Sequence, residues 1–365
     1  MDSPRSRRPV ALLVLALAAA SLAATACGGG ADTLVLYSPH GRELLAVVEE
    51  AYEAKHPGLD VRWLDMGSQE VYDRVRSERA NPQADVWFGG PSTIFARGAE
   101  EGLLEAYRPQ WADAVPAELA DPEDRYFAVY RTAPVILYNA AAVTGEAVPR
   151  DWEDLLAPRF ADRIVVRDPL ASGTMRTFFG MVLARSVERT GTPTEGFRWL
   201  ARLDEATREY VLNPALMIEK LQRQEGLVTV WELTDALWQV ERGTPLSYVF
   251  PTSGTPIIAD AVGLVAGAPH PEAAQRFIEW IGGTEAQVLA AERSFRLPAR
   301  NDLPRDEMPA WAAEVMDDIV PSDVDRRLIA RFGDDWMRTW DREIRGQGAG
   351  YLAATAPAAR EPGGR

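Results

Sequence analysis

The sequence predicts an α/β fold of two lobes joined by two hinge strands, with a ligand cleft between them. Three observations carry this. From residue 32 onward, short apolar runs alternate with amphipathic helical runs. The chain has 365 residues, more than a single hydrophobic core usually serves. The order of elements leaves a first lobe, builds a second and returns to the first, so two strands must cross between them, and paired crossings make a hinge.

The first strand is read at 34–37 (LVLY). It leads to a helix over 39–55, in which Leu44, Leu45, Val48, Ala51 and Tyr52 share one face and His56-Pro57-Gly58 is the stop. A strand at 59–64, a helix at 69–79, a strand at 85–88 and, after Gly89-Gly90-Pro91, a helix at 92–101 complete a βαβαβα unit with a largely parallel sheet. Residues 126–139 are rich in β-formers and leave that lobe without a helix. The second lobe reads as a strand at 164–166, a loop at 168–174, helices at 175–188 and 194–203, a strand at 227–230 and a helix at 233–242. Residues 246–250 and 255–259 return in extended form, 271–281 is an amphipathic helix, and helices dominate from 301 to 345. Lobe one is therefore expected at 33–133 and 254–302, lobe two at 134–253 and C-terminal helices at 303–345. A Gly-, Ala- and Pro-rich tail at 346–365 is expected to be disordered.

Residues 1–27 have the shape of an export signal: a basic start (Arg5, Arg7, Arg8), an apolar run from 10 to 26, then Cys27. The ending Ala24-Thr25-Ala26-Cys27 resembles a lipobox, with Ala24 where Leu is usual. The resemblance implies that Cys27 becomes the new N-terminus and carries the lipid, with 28–32 as a flexible leash. The expected location is extracytoplasmic, in the periplasm or on the outer face of the cell membrane. Cys27 is the single cysteine, so the folded part has none for a disulfide or a thiolate metal site. A net charge of −15 speaks against nucleic acid, whose phosphates need a basic face, while leaving room for an anionic ligand in a locally positive pocket. The 37 arginines against 2 lysines read as a genome-composition habit.

In open α/β sheets ligands sit at the carboxyl ends of strands, where helix N-termini present free N–H groups. Four such places carry polar residues: Ser38-Pro39-His40, Gly67-Ser68, Pro91-Ser92 and Ser172-Gly173-Thr174. Any one of these serines is more often a plain helix cap, so a binding role rests on the four loops facing one cleft. Trp231-Glu232 and Asp235 end a strand and open a helix; the carboxylates either complement the helix dipole or accept hydrogen bonds from ligand hydroxyls or a cationic group. Arg131 and Thr132 at the first crossing, and Pro251, Thr252 and Ser253 at the second, are hinge candidates within reach of a ligand. No GxSxG, P-loop, HExxH or GxGxxG motif is present. Of the three histidines only His40 is placed to face the cleft. No catalytic residue, metal site or cofactor is expected.

The opening run LVLYSPHGRELLAVVEEAYEAKHPGLDVRWLDMGSQEVYDRVRSERANPQADVWFGGPS resembles bacterial extracellular solute-binding proteins of the ferric-iron, thiamine and sugar-phosphate-binding group. VVRDPLASGTMRT, FPTSGTPIIADAVGLVAGAPHPEAAQRFIEWI and RLPAR are similar to its later blocks. The resemblance covers residues 33–303. It implies a type II periplasmic-binding fold that closes on a ligand and delivers it to an ABC permease, with the protein monomeric and held at the membrane by its lipid. Ferric-binding members use a His, a Glu and two adjacent Tyr. Here His40 matches, but Gly89-Gly90-Pro91 offers no carboxylate, Trp231-Glu232 stands at the tyrosine pair, and none of the ten tyrosines adjoins another. Sugar-phosphate-binding members are the better match. They imply that Ser38, Ser68, Ser92, Ser172, Gly173 and Thr174 hold a phosphoryl group, while His40, Trp231, Glu232 and Asp235 read the organic part, with Arg131 near the hinge. Ferric iron, and thiamine or its phosphates stacked on Trp231, are the alternatives. A secreted phosphoryl-processing enzyme on the same fold is the reading of another class.

Overall fold

The computed structural model describes residues 32–322 and 324–356. The export signal at 1–27 with Cys27, most of the leash, and residues 357–365 lie outside that range. Asp32, assigned above to the leash, already belongs to the first strand, where it pairs with Leu59.

Seven strands form one sheet and five another. In the first, β1 (Asp32–Ser38) lies between β2 (Leu59–Asp65) and β3 (Val86–Pro91), parallel to both. The crossovers are α1 (Gly41–Lys55), α2 (Ser68–Glu78) and α3 (Ser92–Glu100). Alternation along the strands buries Leu34, Leu36 and Phe88 in a core on one face, and Tyr37 and Trp87 in a core on the other. β11 (Ile258–Val265) then pairs antiparallel with β3, with the short β4 (Leu104–Glu105) and with β5 (Phe127–Thr132), and β12 (Leu297–Pro298) closes that edge beside β5. The largely parallel sheet read from the sequence is thus a mixed one. β11 arrives from the second lobe without the crossover helix that makes a strand parallel and runs antiparallel to both β3 and β5, while β5 keeps the direction of β1–β3. The β3 strand also runs on through Gly89-Gly90, which were read as loop.

The second sheet has the order β10-β6-β9-β7-β8. It contains β6 (Pro134–Asn139), β7 (Ile164–Arg167), β8 (Thr207–Val211), β9 (Val228–Glu232) and β10 (Leu246–Val249). β7 is parallel to β8 and β9, while β6 is antiparallel to β9 and β10. Its helices are α4 (Gly173–Thr190), α5 (Thr194–Ala206), α6 (Pro214–Gln222) and α7 (Leu233–Glu241). β8 and α6 have no counterpart in the sequence reading: β8 is a half-exposed edge strand and α6 is short, so neither shows a clean apolar period. In the first lobe, α8 (Pro271–Ile281) matches the reading, whereas α9 (Thr284–Ser294) was not foreseen.

Two connections join the sheets side by side. β5 runs into β6 through Ala133, and β10 returns to β11 through residues 250–257. Thr132 pairs with Ile258, and the Thr255 hydroxyl donates to the Pro134 carbonyl at 2.6 Å.

The remaining helices are α10 (Ala310–Asp318), α11 (Arg326–Glu343) and α12 (Gly348–Ala354). Trp336, Met337 and Trp340 of α11 belong to the core of the second lobe. Trp340 is fully buried, with its ring edge-on to Phe179 at 5.3 Å and to Tyr210 at 5.2 Å. Residues 357–365 lie outside the described range, and the disordered tail expected at 346–365 is corrected for the part described, where α12 is an ordered helix. Its composition offers little core, but α5 supplies polar partners: the Gly348 N–H donates to Asp204 Oδ2 at 3.0 Å, and Arg198 donates to the Thr355 carbonyl at 2.8 Å. From α11, Asp334 reaches both lobes, pairing with Arg97 on α3 at 2.8 Å and with Arg176 on α4.

Because α11 completes a core and does not merely cover one, Trp340→Ala should lower unfolding free energy by about 3–5 kcal/mol. Urea denaturation followed by fluorescence would show it; a loss below about 1 kcal/mol would mean that α11 is dispensable.

Candidate ligand-binding site

The carboxyl ends of the parallel strands in both sheets face each other across a cleft of ≈ 780 Å³. Lobe one contributes the β1–α1, β2–α2 and β3–α3 junctions together with Asp260 and Arg296. Lobe two contributes the β7–α4 and β9–α7 junctions and the loop after β8.

Of the residues singled out from the sequence, His40, Ser68, Ser172, Gly173, Thr174, Trp231, Glu232 and Asp235 line this cleft. Ser38, Ser92 and Arg131 do not. The Ser38 side chain is fully buried and accepts the His40 N–H at 3.2 Å, so it shapes the loop instead of facing a ligand. Ser92 lines a separate small cavity with Ile329 and Ser322. Arg131 points along the sheet, its Nε donating to the Pro298 carbonyl at 2.8 Å.

The loops do converge at one corner. A Cβ on Gly173 would stand 2.7 Å from Pro91 and 2.9 Å from the Ser68 hydroxyl, and a Cβ on Gly67 would stand 2.9 Å from the Ala171 carbonyl. Hydrogen in place of a side chain is what lets the two lobes touch here. Ser172 caps α4 by accepting the Met175 N–H at 3.3 Å, whereas the N-terminus of α2 at Gly67 has no side-chain cap and its first N–H groups stay available. Beside that corner lies Arg167, 7% exposed, with its Nε unpartnered. Burial lowers its pKa, while Asp168 and Glu70 oppose that shift.

The wall next to this corner is acidic. Glu232, at the N-cap of α7, and Asp235 one turn on both have raised pKa values. For Glu232 the value is pushed up to about 8, first by burial and then by repulsion from Asp235, with Arg296 only partly offsetting them. For Asp235 burial is again the main cause, opposed by the Trp231 indole N–H, which donates to it at 2.6 Å. That indole is 6% exposed, which leaves little face for stacking a ligand. Arg296 Nη1 stands 4.0 Å from Glu232 and 3.8 Å from Asp260. His40 packs edge-on to Phe88 at 4.6 Å, with Nε2 3.4 Å from Asp260; burial lowers its pKa and leaves the ring neutral. At the mouth, Arg242 of lobe two pairs with Glu43 of lobe one at 3.1 Å.

Arg167, Asp260 and Arg296 escaped the sequence reading. Asp260 had a signal, being the single charge in the apolar run of β11, all of which is buried. Arg167 and Arg296 had none, because one arginine among 37 does not announce its burial. Among the described residues no group of three or more His, Cys, Asp or Glu is gathered to hold a metal ion.

The family described as bacterial extracellular solute-binding protein matches residues 81–315. A Sinorhizobium fredii protein named as a probable ABC transporter periplasmic-binding protein is 29% identical over 331 residues, 90% of each chain. A Salmonella typhimurium protein named as a candidate 2-aminoethylphosphonate-binding periplasmic protein is 26% identical over 79% of this chain and 80% of its own. Among solved structures, the periplasmic binding protein AfuA from Actinobacillus pleuropneumoniae, with fructose-6-phosphate bound, aligns with a TM-score of 0.75 at 23% identity, covering 86% of this chain and 99% of that one. A ferric binding protein from Campylobacter jejuni aligns at 0.70 and 19%, covering 85% and 98%. These likenesses fix the architecture as the type II periplasmic-binding fold.

Two outcomes follow from the geometry. Glu232 binds its proton more tightly folded (about 8) than unfolded (4.5), so between those values the folded state holds more protons and stability falls as pH rises. Glu232→Gln should therefore stabilise the protein by about 1–3 kcal/mol at pH 8.5, with the gain fading by about pH 4.5; equal urea midpoints at both pH values would contradict this. Gly173→Ala should weaken ligand binding by at least about tenfold by holding the lobes apart, with little loss of melting temperature; unchanged affinity in calorimetry would show that the contact is not needed for closure.

Proposed function

The chain belongs to the bacterial extracellular solute-binding protein family, and from that premise we propose that the solute it captures for an ABC importer is small and anionic, most simply a phosphorylated compound such as a sugar phosphate or a phosphonate. It acts outside the cytoplasm and hands its solute to a membrane permease. The observation that carries the ligand reading is the corner where the uncapped N-terminus of α2, Ser68, Gly173 and the buried Arg167 meet: backbone N–H groups, a hydroxyl and a guanidinium whose Nε has no partner converge there. In support, one relative carries the name of a phosphonate and one structural neighbour holds a hexose phosphate. Ser172 and Thr174 frame the same corner. Glu232, Asp235 and Asp260 are left for the organic part, and His40 and Trp231 orient them.

Tethering through a lipid on Cys27 and action as a monomer complete the proposal. The names of the relatives speak for capture without turnover. Ferric iron is the weaker reading, since a hard Fe(III) ion wants several anionic oxygens gathered at one point.

Thermal melts with fructose 6-phosphate, 2-aminoethylphosphonate, thiamine phosphate and Fe(III)-citrate test the reading. A true ligand at 100 times its Kd should add about 2.7 kcal/mol of stability. A shift with Fe(III) alone would sink the proposal, and steady hydrolysis of the phosphate ester would replace capture with catalysis. For whichever phosphorylated compound binds, Arg167→Gln should weaken affinity by about 10- to 100-fold in titration calorimetry.

A further inference from the structure

The geometry points to a zwitterionic solute, with its phosphoryl-type group at the Arg167 corner and an ammonium group against the carboxyls of Glu232 and Asp235. This rests on the anionic-ligand reading above and adds the chemistry of the solute's other end.

The two poles are neighbours. Thr174 Oγ1 lies 3.4 Å from Glu232 Oε2, and the residue before it, Gly173, abuts Ser68 in the anion corner. A molecule of a few heavy atoms can therefore touch both.

The acidic pole carries more negative charge than the protein answers. Glu232, Asp235 and Asp260 share one close cation, Arg296, which at 4.0 and 3.8 Å from Glu232 and Asp260 makes no tight pair with either. Arg242 is engaged by Glu43 at the mouth, His40 is neutral, and Asp65, across the cleft, adds a further carboxylate close enough for Asp235 to raise its pKa. Two buried side chains that line this part of the cleft lack partners: Arg296, 4% exposed, at Nε, and His40, 7% exposed, at Nδ1. A wall with such groups is incomplete without a polar occupant. The sign of the excess charge decides which occupant fits. A sugar hydroxyl would satisfy hydrogen bonds and leave the charge in place, whereas an ammonium satisfies both. The raised pKa of Glu232 supports this: in the empty cleft a proton answers part of the charge, and an arriving ammonium displaces it.

Titration calorimetry of 2-aminoethylphosphonate against 2-hydroxyethylphosphonate, in two buffers of different ionisation enthalpy at pH 7, is the test. The amine should bind at least about tenfold more tightly and release more protons from the native protein than from Glu232→Gln. Glu232→Gln and, separately, Asp235→Asn should each collapse the amine-to-hydroxyl ratio towards one, whereas Arg167→Gln should weaken both compounds and keep the ratio. Equal affinities, tighter binding of the hydroxyl compound, or a ratio unmoved in both carboxyl variants would overturn the inference while leaving the anionic reading intact. If neither compound binds, the inference falls, while the anionic reading is decided separately by the melts with fructose 6-phosphate and thiamine phosphate.

Discussion

The cleft exists because two sheets are held with the carboxyl ends of their parallel strands facing one another, and a single close contact sets their spacing. Gly173, at the start of α4, lies against Pro91 and Ser68, and Gly67 against the Ala171 carbonyl. Any side chain at these points would separate the lobes and pull apart the polar groups of the two walls. The Thr132–Ile258 pairing and the Thr255–Pro134 hydrogen bond hold the other side, where the connections cross. Between these supports, the α2 N-terminus from one lobe and Arg167 from the other come to share one corner.

Within that frame the site works against the stability of the fold. A carboxyl whose pKa burial and a neighbouring carboxylate raise, and an arginine with an unpartnered Nε, are expensive to keep in a wall that water only partly reaches. The scaffold around them is conventional by comparison, with aromatic and aliphatic cores on both faces of the first sheet and a large core in the second lobe. Unsatisfied pairing of buried charged side chains is thus concentrated in the cleft.

The C-terminal helices add a constraint that a two-lobe picture omits. α11 fills the core of the second lobe with Trp336, Met337 and Trp340, yet Asp334 on the same helix engages Arg97 of the first lobe as well as Arg176 of the second. Opening the cleft must stretch or exchange that pairing. At the opposite rim the Glu43–Arg242 pair must break altogether. An opening of the cleft would therefore rearrange ion pairs over an intact core, the kind of motion a hinge permits.

How much of this was legible in the sequence follows from the range of the interactions. Strand and helix order through β1–α3, the crossing at Thr132–Pro134 and the Ser172 cap were readable, because apolar periodicity and capping chemistry act over a few residues. The placement of Ser68, Gly173, Thr174, Glu232 and Asp235 on the cleft was readable for the same reason, each lying at or just after a strand-to-helix junction. Ser38, Ser92 and Arg131 do not line the cleft, because position at a junction or at a crossing does not say which way a side chain turns. The antiparallel half of the first sheet, the ordered α12, and the entry of Arg167, Asp260 and Arg296 into the cleft came only with the tertiary structure. Each depends on a partner far away in the chain, as Arg296 does on the carbonyl of His40, 256 residues earlier, and no local pattern encodes a contact of that range.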